Sequence, residues 1–584
     1  MRKRDIKRQN IIQLLFVITI LILVSYVSSF VFHRFDLTSE KRYTLSNTAK
    51  DLMRNLDDIV YIKVYLEGDL NVGFKRMRNS VRELLDEFRV YAGDNIEYEF
   101  INPYEITDKE VRNEIFRELI NKGLQRTALQ ERDTEGKTSQ KTIFPGAIIN
   151  YKERELALNM LKNIRGLSGE ENLNNSIQTL EYEFINAIKK LSSDKIQKIA
   201  FIEGHGELDG YQVGDITDEL AEYCEVYRGW INTDTNSLDD YFAIIIAKPK
   251  YPFSEKEKFV IDQYIMNGGK VLWLIDVINV NYDTLSRGST TIALINSLNI
   301  EDQLFKYGVR INPSLVKDLQ CAIIPVNIAL FGEQPKFAPA PWCYFPLIAP
   351  PDNHSITKNL NDIKSEFANV IDTVGGNQNI KKTFLLRTSR YTKVVNAPLM
   401  ISLEQIHDKL QPAEFNHSFQ PIAVLLEGKF ESVFKNRPIS DFFKGKALNF
   451  KSESVETKMI VIADGDIIKN EVSSRGGRPL PLPLGFDRYT QQTFGNKEFI
   501  MNAINYLSDD ADLMHLRSRE LKLRLLNRAK ISQERFKWQL INTVLPVAFV
   551  IVFGLIIGFI RGKKFGQIKL PAFPKLIFFS VKHR

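Results

Sequence analysis

Two apolar runs without a single charge, one near each end, constrain this 584-residue chain more than anything between them. The first is IIQLLFVITILILVSYVSSFVF, Ile11 to Phe32, and the second is LINTVLPVAFVIVFGLIIGFI, Leu540 to Ile560. Each reaches the roughly 18 to 20 apolar residues that cross a bilayer as a helix. The first follows MRKRDIKR, exceeds the ~7 to 15 apolar residues of a cleaved signal and has no A-x-A-like site after it, so it reads as a retained anchor. Pro546 inside the second run is compatible with a spanning helix, because neighbouring groups resatisfy the freed carbonyl. A mean hydropathy of −0.19 with 26% charged residues describes a largely water-soluble body between the two.

The charge is distributed as this topology requires. Residues 1–8 carry +4 and residues 561–584 carry +7, so a chain of net charge +7 leaves −4 for everything else. Basic flanks outside both spans place both termini in the cytoplasm and the large middle outside it. The basic stretch Arg517 to Lys537 lies on the wrong side for this rule, but long translocated segments obey it weakly, and the two-span hairpin stands. With the excess confined to the tails, the body presents no phosphate-binding stripe, and no nucleic-acid partner is expected; the tails suit anionic lipid instead. Three cysteines, Cys224, Cys321 and Cys343, form neither a disulfide framework nor a C-x-x-C metal site. Buried thiols are expected, with Cys321–Cys343 the pair able to bridge in an oxidising compartment.

The expected layout is a cytoplasmic tail over 1–10, a membrane helix over 11–32 and a smaller α/β domain over 34–190. A larger α/β domain over 191–515, a basic connector over 516–539, a second membrane helix over 540–560 and a cytoplasmic tail over 561–584 follow. In the first domain, Ser46 stands as an N-cap, and IVYIKVYLEG, a helix from about Phe74 to Tyr91 and NIEYEFINP make a β-α-β pattern that predicts parallel pairing. In the second, KIAFIEG, CEVYRGWI, DYFAIIIAKPK and GKVLWLIDV alternate with helical segments, one capped by Ser254, which predicts a doubly wound sheet. Residues from about Ala293 to Lys382, rich in Pro and aromatics, read as an insertion covering that sheet. Strand signals return in TKVVNAPLMISLEQI, QPIAVLLEGKFESVF and KMIVIADGDIIKN, ahead of a helix NKEFIMNAINYLSDD.

In doubly wound sheets ligands bind beyond the carboxyl ends of the strands. Glu203, His205, Glu207, Pro249 and Asp276 all emerge there, which makes Glu203, His205, Glu207 and Asp276 the candidate ligand-binding residues. The turn Gly204-His205-Gly206-Glu207 admits two readings. An imidazole beside a carboxylate can serve as a general base or contribute to a metal site, but metals usually take three or four protein ligands, and seven histidines without H-E-x-x-H or H-x-H supply none. A glycine-flanked histidine bonding its neighbours, with an acid at a helix start, is the structural alternative and the favoured one. No cysteine lies in a G-x-C-x-G elbow, no serine in G-x-S-x-G, and no G-x-x-x-x-G-K-[ST] cradles a nucleotide, so no catalytic residue, metal or cofactor is expected. Asp464 and Asp466 bracket a glycine as a cation-binding pair would, yet without the other ligands of a calcium loop a turn is favoured.

The whole chain carries a resemblance. RFDLTSEKRYTLS after the anchor, FIEGHGELDG, PKYPFSEKEKFVIDQYIMNGGKVLWLID, HSIT at His354 and FGNKEFIMNAINYLSDDADLMHLRSRELKLRLL together resemble the GldG-like proteins, a family of membrane-anchored ABC-transporter auxiliary proteins. Ser355 departs from the pattern, since relatives often have proline after that histidine. The resemblance implies a central sheet similar to a flavodoxin or class I amidotransferase without its catalytic cysteine. It also implies partnership with an ABC ATPase subunit and a membrane permease subunit in the cytoplasmic (inner) membrane, and a tie to gliding motility in Bacteroidetes-type bacteria. The expected function is a non-catalytic accessory subunit with a periplasmic body. The alternatives are a solute- or glycan-binding receptor using the GHGE crevice, and a hydrolase centred on His205.

Overall fold

Ser46 accepts a hydrogen bond from the Ala49 amide at 3.0 Å and so starts the first helix of the body, α1 (Asn47–Arg54), as an N-cap should. The computed structural model describes residues 11–12, 14–23, 45–508 and 528–565, apart from brief internal stretches of which 438–449 is the longest. Strand β1 (Val60–Val64) pairs in parallel with β2 (Ile96–Phe100), and the crossover between them is α2 (Val72–Ala92). The β-α-β unit read from the sequence is therefore present. On its other side β1 pairs antiparallel with β3 (Gly146–Tyr151), which hairpins to β4 (Arg154–Asn159), giving a four-stranded sheet β2-β1-β3-β4. Val60, Ile62 and Val64 alternate with half-buried residues along β1 and pack with Val81, Leu85 and Phe88 of α2 and with Phe184 and Ile188 of α3 (Gly169–Ser192). Each fully buried Val, Ile or Phe contributes about 1.5–3 kcal/mol to holding this layer together.

The following strands build a seven-stranded sheet. They are β5 (Gln197–Glu203), β6 (Cys224–Trp230), β7 (Ala243–Ala247) and β8 (Lys270–Leu274), with α4 (Gly214–Ala221) after β5 and α5 (Glu255–Met266) after β7. Every residue of β7, AIIIA, is buried, as a central parallel strand covered on both faces must be. Alternate side chains go to two cores: Ile244, Ile246 and Trp273 pack with Val260, Ile261 and Ile265 of α5, whereas Ile245, Leu272 and Leu274 pack with Ile216 and Leu220 of α4.

Residues 293–382 are more regular than their composition suggests. They contain β9 (Val309–Asp318), β10 (Cys321–Asn327), the twelve-residue β11 (Phe337–Ile348) and β12 (Asn369–Thr373). FAPAPWCYFPLI forms β11 despite three prolines because Pro339, Pro341 and Pro346 sit in a locally irregular antiparallel pairing with β10, in a sheet of only three strands. Strand β13 (Ile380–Arg387) enters the seven-stranded sheet, and β14 (Thr392–Asn396) completes a separate one, β12-β9-β14. Strands β15 (Pro421–Gly428) and β16 (Thr457–Ile462) finish the large sheet, whose order is β13-β15-β16-β8-β7-β5-β6. The run β16-β8-β7-β5-β6 is parallel throughout, and β15 and β13 add an antiparallel edge. Helix α6 (Asn496–Leu507) lays Phe499, Ile500 and Ile504 into the same core as α4.

Toward the N-terminus a short apolar helix covers Leu14–Leu23, and the remainder of the expected first span, residues 24–32, lies outside the described residues. The second unit of the chain, from residue 522, contains α7 (Arg528–Phe565), an unbroken helix that passes through Pro546. Its segment Glu534–Ile560 has a mean hydropathy of 2.8 over its most apolar window and none of that window is buried. At 1.5 Å per residue this segment measures about 40 Å, enough to cross a bilayer. The basic residues from Arg528 to Lys537 are thus the first turns of that helix, while residues 509–527 of the expected connector lie outside the described residues.

Candidate functional site

The chain enters the large sheet at β5, steps to one side for β6, then passes β5 to place β7, β8 and β16 on the other. Between β5 and β7 the winding direction reverses, and a crevice at that point, beyond the carboxyl ends, is where open α/β sheets bind ligands. The GHGE turn lies there, immediately after β5.

Gly204 at φ +117° and Gly206 at φ +75° permit the turn, which L-residues with side chains adopt only with strain. Between them His205 is 4% exposed. Its amide donates to Glu207 Oε2 at 2.7 Å, its Nδ1 lies 3.2 Å from Glu207 Oε1, and its Nε2 lies 3.3 Å from Glu257 Oε2. The ring stacks on Phe253 with centroids 3.7 Å apart. Its carbonyl accepts from the amides of Lys250 and Tyr251 at 2.6 and 2.8 Å, so the chain leaving β7 is fastened to the turn. Glu257 also closes the capping box of α5 with Ser254. Burial opposes charge on His205, but the hydrogen bonds and charges of Glu207 and Glu257 outweigh it and raise its pKa above the ordinary 6.5.

This geometry decides what the histidine can do. In a catalytic triad one ring nitrogen is oriented by a carboxylate and the other faces the reacting group. Here both nitrogens are held by carboxylates and one ring face by Phe253, so His205 has no free position for substrate and serves to tie β5, the post-β7 segment and α5 together.

The other two sequence candidates go elsewhere. Glu203 accepts from Arg228 of β6 at 2.8 Å, and Arg228 also donates to the Leu208 carbonyl at 2.9 Å. Asp276, just beyond β8, belongs to a buried cluster beneath the strand ends. Its Oδ1 accepts from the Gly465 amide at 2.6 Å and its Oδ2 pairs with Lys248 Nζ at 3.0 Å. Lys248, which follows β7 with φ +57°, also pairs with Asp466. Asp464 caps the short turn after β16 by accepting from the Asp466 amide at 2.8 Å and from the Glu366 amide at 2.8 Å, and it also takes the Ser365 hydroxyl. Lys248 thus pairs with two of three buried carboxyls, and Lys469 Nζ lies 3.7 Å from Asp466 Oδ1. Burial raises Asp276 and Asp464 above the ordinary value, while for Asp466 burial is outweighed by the Lys248 charge and its pKa is lowered. Among the described residues no group of three or more His, Cys, Asp or Glu is arranged to hold a metal ion.

Lys248, Phe253 and Glu257 were not legible as site residues. Lys248 sits in AKPK and Glu257 in a helix start, and neither sequence says which distant carboxylate or imidazole it will meet. Asp464 and Asp466 carried a signal, a carboxylate pair around glycine, but Asp466 meets a lysine from another strand end and Asp464 the Ser365 hydroxyl and the Glu366 amide. The rim of the crevice is aromatic: Trp230, 80% exposed, lies against Gly204, and Tyr251, 63% exposed, lies against Gly206. A methyl group at Gly206 would come within 2.9 Å of the Tyr251 ring.

Residues 39–150 match a domain of unknown function, a family model with no assigned activity. An uncharacterized protein of Borreliella burgdorferi strain B31 is 22% identical over 576 residues, covering 96% of this chain and 99% of its own length. The solved N-terminal domain of mmIFT52 aligns with 54% of this chain and 98% of itself at 13% identity, with a TM-score of 0.30, too low for shared topology to follow. Residues 196–503, more than half of the chain and the whole of the large sheet, match the family model described as an ABC-type uncharacterized transport system. The chain therefore belongs to the auxiliary family of ABC-type transport systems.

Proposed function

We propose that the chain is a non-catalytic, membrane-anchored accessory subunit of an ABC-type complex, with ATP hydrolysed by a separate ATPase subunit and a permease subunit as its membrane partner. The observation that carries this reading is the family match over 196–503 on a sheet whose GHGE turn has its imidazole held by the protein's own Glu207, Glu257 and Phe253. Cys224, the cysteine nearest the crevice in sequence, begins β6 and is buried rather than standing on an elbow, and burial raises its thiol to about 11. Strand order and helices on both faces support the finer description of the sheet as doubly wound and flavodoxin- or amidotransferase-like.

In this reading residues 11–32 and 540–560 form two spans, both termini are cytoplasmic, and the body from 34 to 515 stands outside the inner membrane as a smaller and a larger domain. The GldG-like resemblance extends the role to gliding motility. Photocrosslinkers placed from Leu540 to Ile560 test the core of it: adducts with a multi-span permease are expected, and adducts with lipid alone contradict it.

A receptor role has one observation in its favour, the exposed Trp230 and Tyr251 on the rim, since stacking faces of this kind suit sugars and aromatic ligands. Glu203, His205, Glu207 and Asp276 would then shape the mouth, with the rings making contact. Binding of a glycan that Trp230→Ala abolishes would favour this role over the accessory one.

A further inference from the structure

At the edge of the large sheet opposite β6, the loop joining β13 to β14, residues 388–391, meets the loop that leads into β15, residues 416–420. A ladder of hydrogen bonds fastens one to the other. The Thr388 amide donates to the Gln420 carbonyl at 2.9 Å, and the Thr388 hydroxyl accepts from the Gln420 amide at 2.8 Å. The Phe419 amide donates to the Ser389 carbonyl at 3.0 Å, the Ser418 hydroxyl to the Arg390 carbonyl at 2.8 Å, and the His417 amide to the Thr392 carbonyl at 2.8 Å. Asp318, buried at the end of β9, holds the first loop by accepting from the Ser389 amide at 2.9 Å, its hydroxyl at 2.6 Å and the Thr392 hydroxyl at 2.9 Å.

These fastened loops carry two aromatic rings into water, Tyr391 at 52% and Phe419 at 55% exposure. A single exposed ring is ordinary. Phe419, however, also stands at φ +57°, a left-handed conformation that glycine takes freely and a bulky residue only with strain. One residue is thus both strained and apolar in water, a combination that concentrates at functional positions. The surrounding charge is one-sided. Arg387 to Lys393, RTSRYTK, holds three cations and no acid, and Asn416 to Gln420 holds no acid either, whereas the chain between its tails carries −4. Lys393 pairs with Glu414. Arg387 rests 4.4 Å from the centre of the Phe384 ring, and neither it nor the exposed Arg390 makes an ion pair among the described residues.

We propose that this pair of loops is a membrane-surface contact, in which Tyr391 and Phe419 enter the headgroup region of an anionic phospholipid bilayer and Arg387 and Arg390 take lipid phosphates. Aromatic rings and basic side chains anchor proteins at that depth, the ring leaving water while the cation meets the negative surface. Guanidinium binds phosphate through paired hydrogen bonds. A soluble anion would satisfy the arginines and leave both rings in water, so a surface that offers phosphate and apolar cover together is the better match. The Glu534–Ile560 helix, long and apolar enough to cross a bilayer, supplies such a surface to the same chain. The inference rests on anchorage by that helix and not on the accessory-subunit role.

Photocrosslinking of the full-length chain in nanodiscs tests it, with p-benzoylphenylalanine placed singly at Phe419, at Tyr391 and, as a control, at Tyr489, a similarly exposed ring beside an arginine already paired with Glu471. In phosphatidylglycerol discs, lipid adducts are expected at Phe419 and Tyr391, with yields about tenfold or more above those in phosphatidylcholine discs and above those of the double variant Arg387→Gln, Arg390→Gln. Both arginines are exposed, so the variant keeps its fold. Yields at Phe419 and Tyr391 no higher than at Tyr489, equal in the two lipids, or indifferent to the arginines overturn the proposal. So do adducts at these positions with another protein in place of lipid when the experiment is repeated in the native membrane.

Discussion

Lys248→Met keeps a long unbranched stem in place and deletes the charge that pairs with the buried carboxyls of Asp276 and Asp466. In the native protein Lys248 Nζ pairs with Asp276 at 3.0 Å and with Asp466, all three side chains being less than one-tenth exposed. Removing one partner of a buried pair costs about 3–5 kcal/mol, because the charge left behind has neither water nor counterion. The roughly conserved volume adds little to that cost. The penalty should depend on pH with a definite sign. In the wild type, Asp466 has a folded pKa below its ordinary 3.8, so it stabilises above that value and the contribution is lost as pH falls through the folded pKa. In the variant Asp276, already raised by burial, loses the Lys248 charge that opposed it and rises further, and Asp466 loses the largest of the charges that lower it and rises too, with Lys469 still 3.7 Å away. A raised acid costs stability at neutral pH and returns it as pH falls toward 3.8, since the folded state then holds the proton more tightly than the unfolded one. The gap between wild type and Lys248→Met should therefore be about 3–5 kcal/mol at pH 7 and shrink to about 1 kcal/mol near pH 4. Denaturant unfolding of the detergent-solubilised chain, followed by tryptophan fluorescence, reads this out, because Trp273 is fully buried in the adjacent β8. A gap that stays constant from pH 7 to pH 4, or one below about 1 kcal/mol at pH 7, would refute the reasoning.

Further expectations concern the turn, the thiol and the cap. His205 has a raised pKa, so its stabilising contribution is complete below 6.5 and lost as pH rises through the folded value; His205→Gln should flatten the melting temperature over that window, and an unchanged slope would show that the imidazole is not charged there. Gly206→Ala, at φ +75°, should cost about 1–2 kcal/mol, and Gly204→Ala, at φ +117° outside the left-handed helical region, about 2–3 kcal/mol, measured by denaturant midpoint. Cys224, buried with its thiol raised to about 11, should resist maleimide at pH 7.5 until the chain is unfolded, and rapid labelling of the folded protein would contradict its placement. Glu257→Gln should weaken both the α5 cap and the His205 clamp and lower stability by about 1–2 kcal/mol, more than Ser254→Ala, which removes the cap alone.

What could be read in the sequence was what short range determines. Ser46 and Ser254 announce helix starts through local chemistry, the AIIIA of β7 announces a buried strand, and the β1-α2-β2 unit follows from alternation and crossover length. The segment 337–348 was not legible, because its prolines argue against a strand and only its pairing with β10 makes it one. The same distinction holds at the candidate site. GHGE could be found from its glycines and its place after a strand, but the clamp on His205 depends on Glu257, fifty-two residues on, and the Lys248 cluster joins three strand ends. Contacts of that range are set by sheet order, which periodicity does not encode.

Membership of an ABC auxiliary family makes stable association the property to examine first. The full-length chain, extracted from its native membrane in mild detergent and analysed by mass spectrometry with everything that accompanies it, should bring an ABC ATPase subunit and a multi-span permease in fixed ratio. Recovery of the chain alone, under conditions that keep other inner-membrane ABC complexes intact, would contradict the accessory-subunit role.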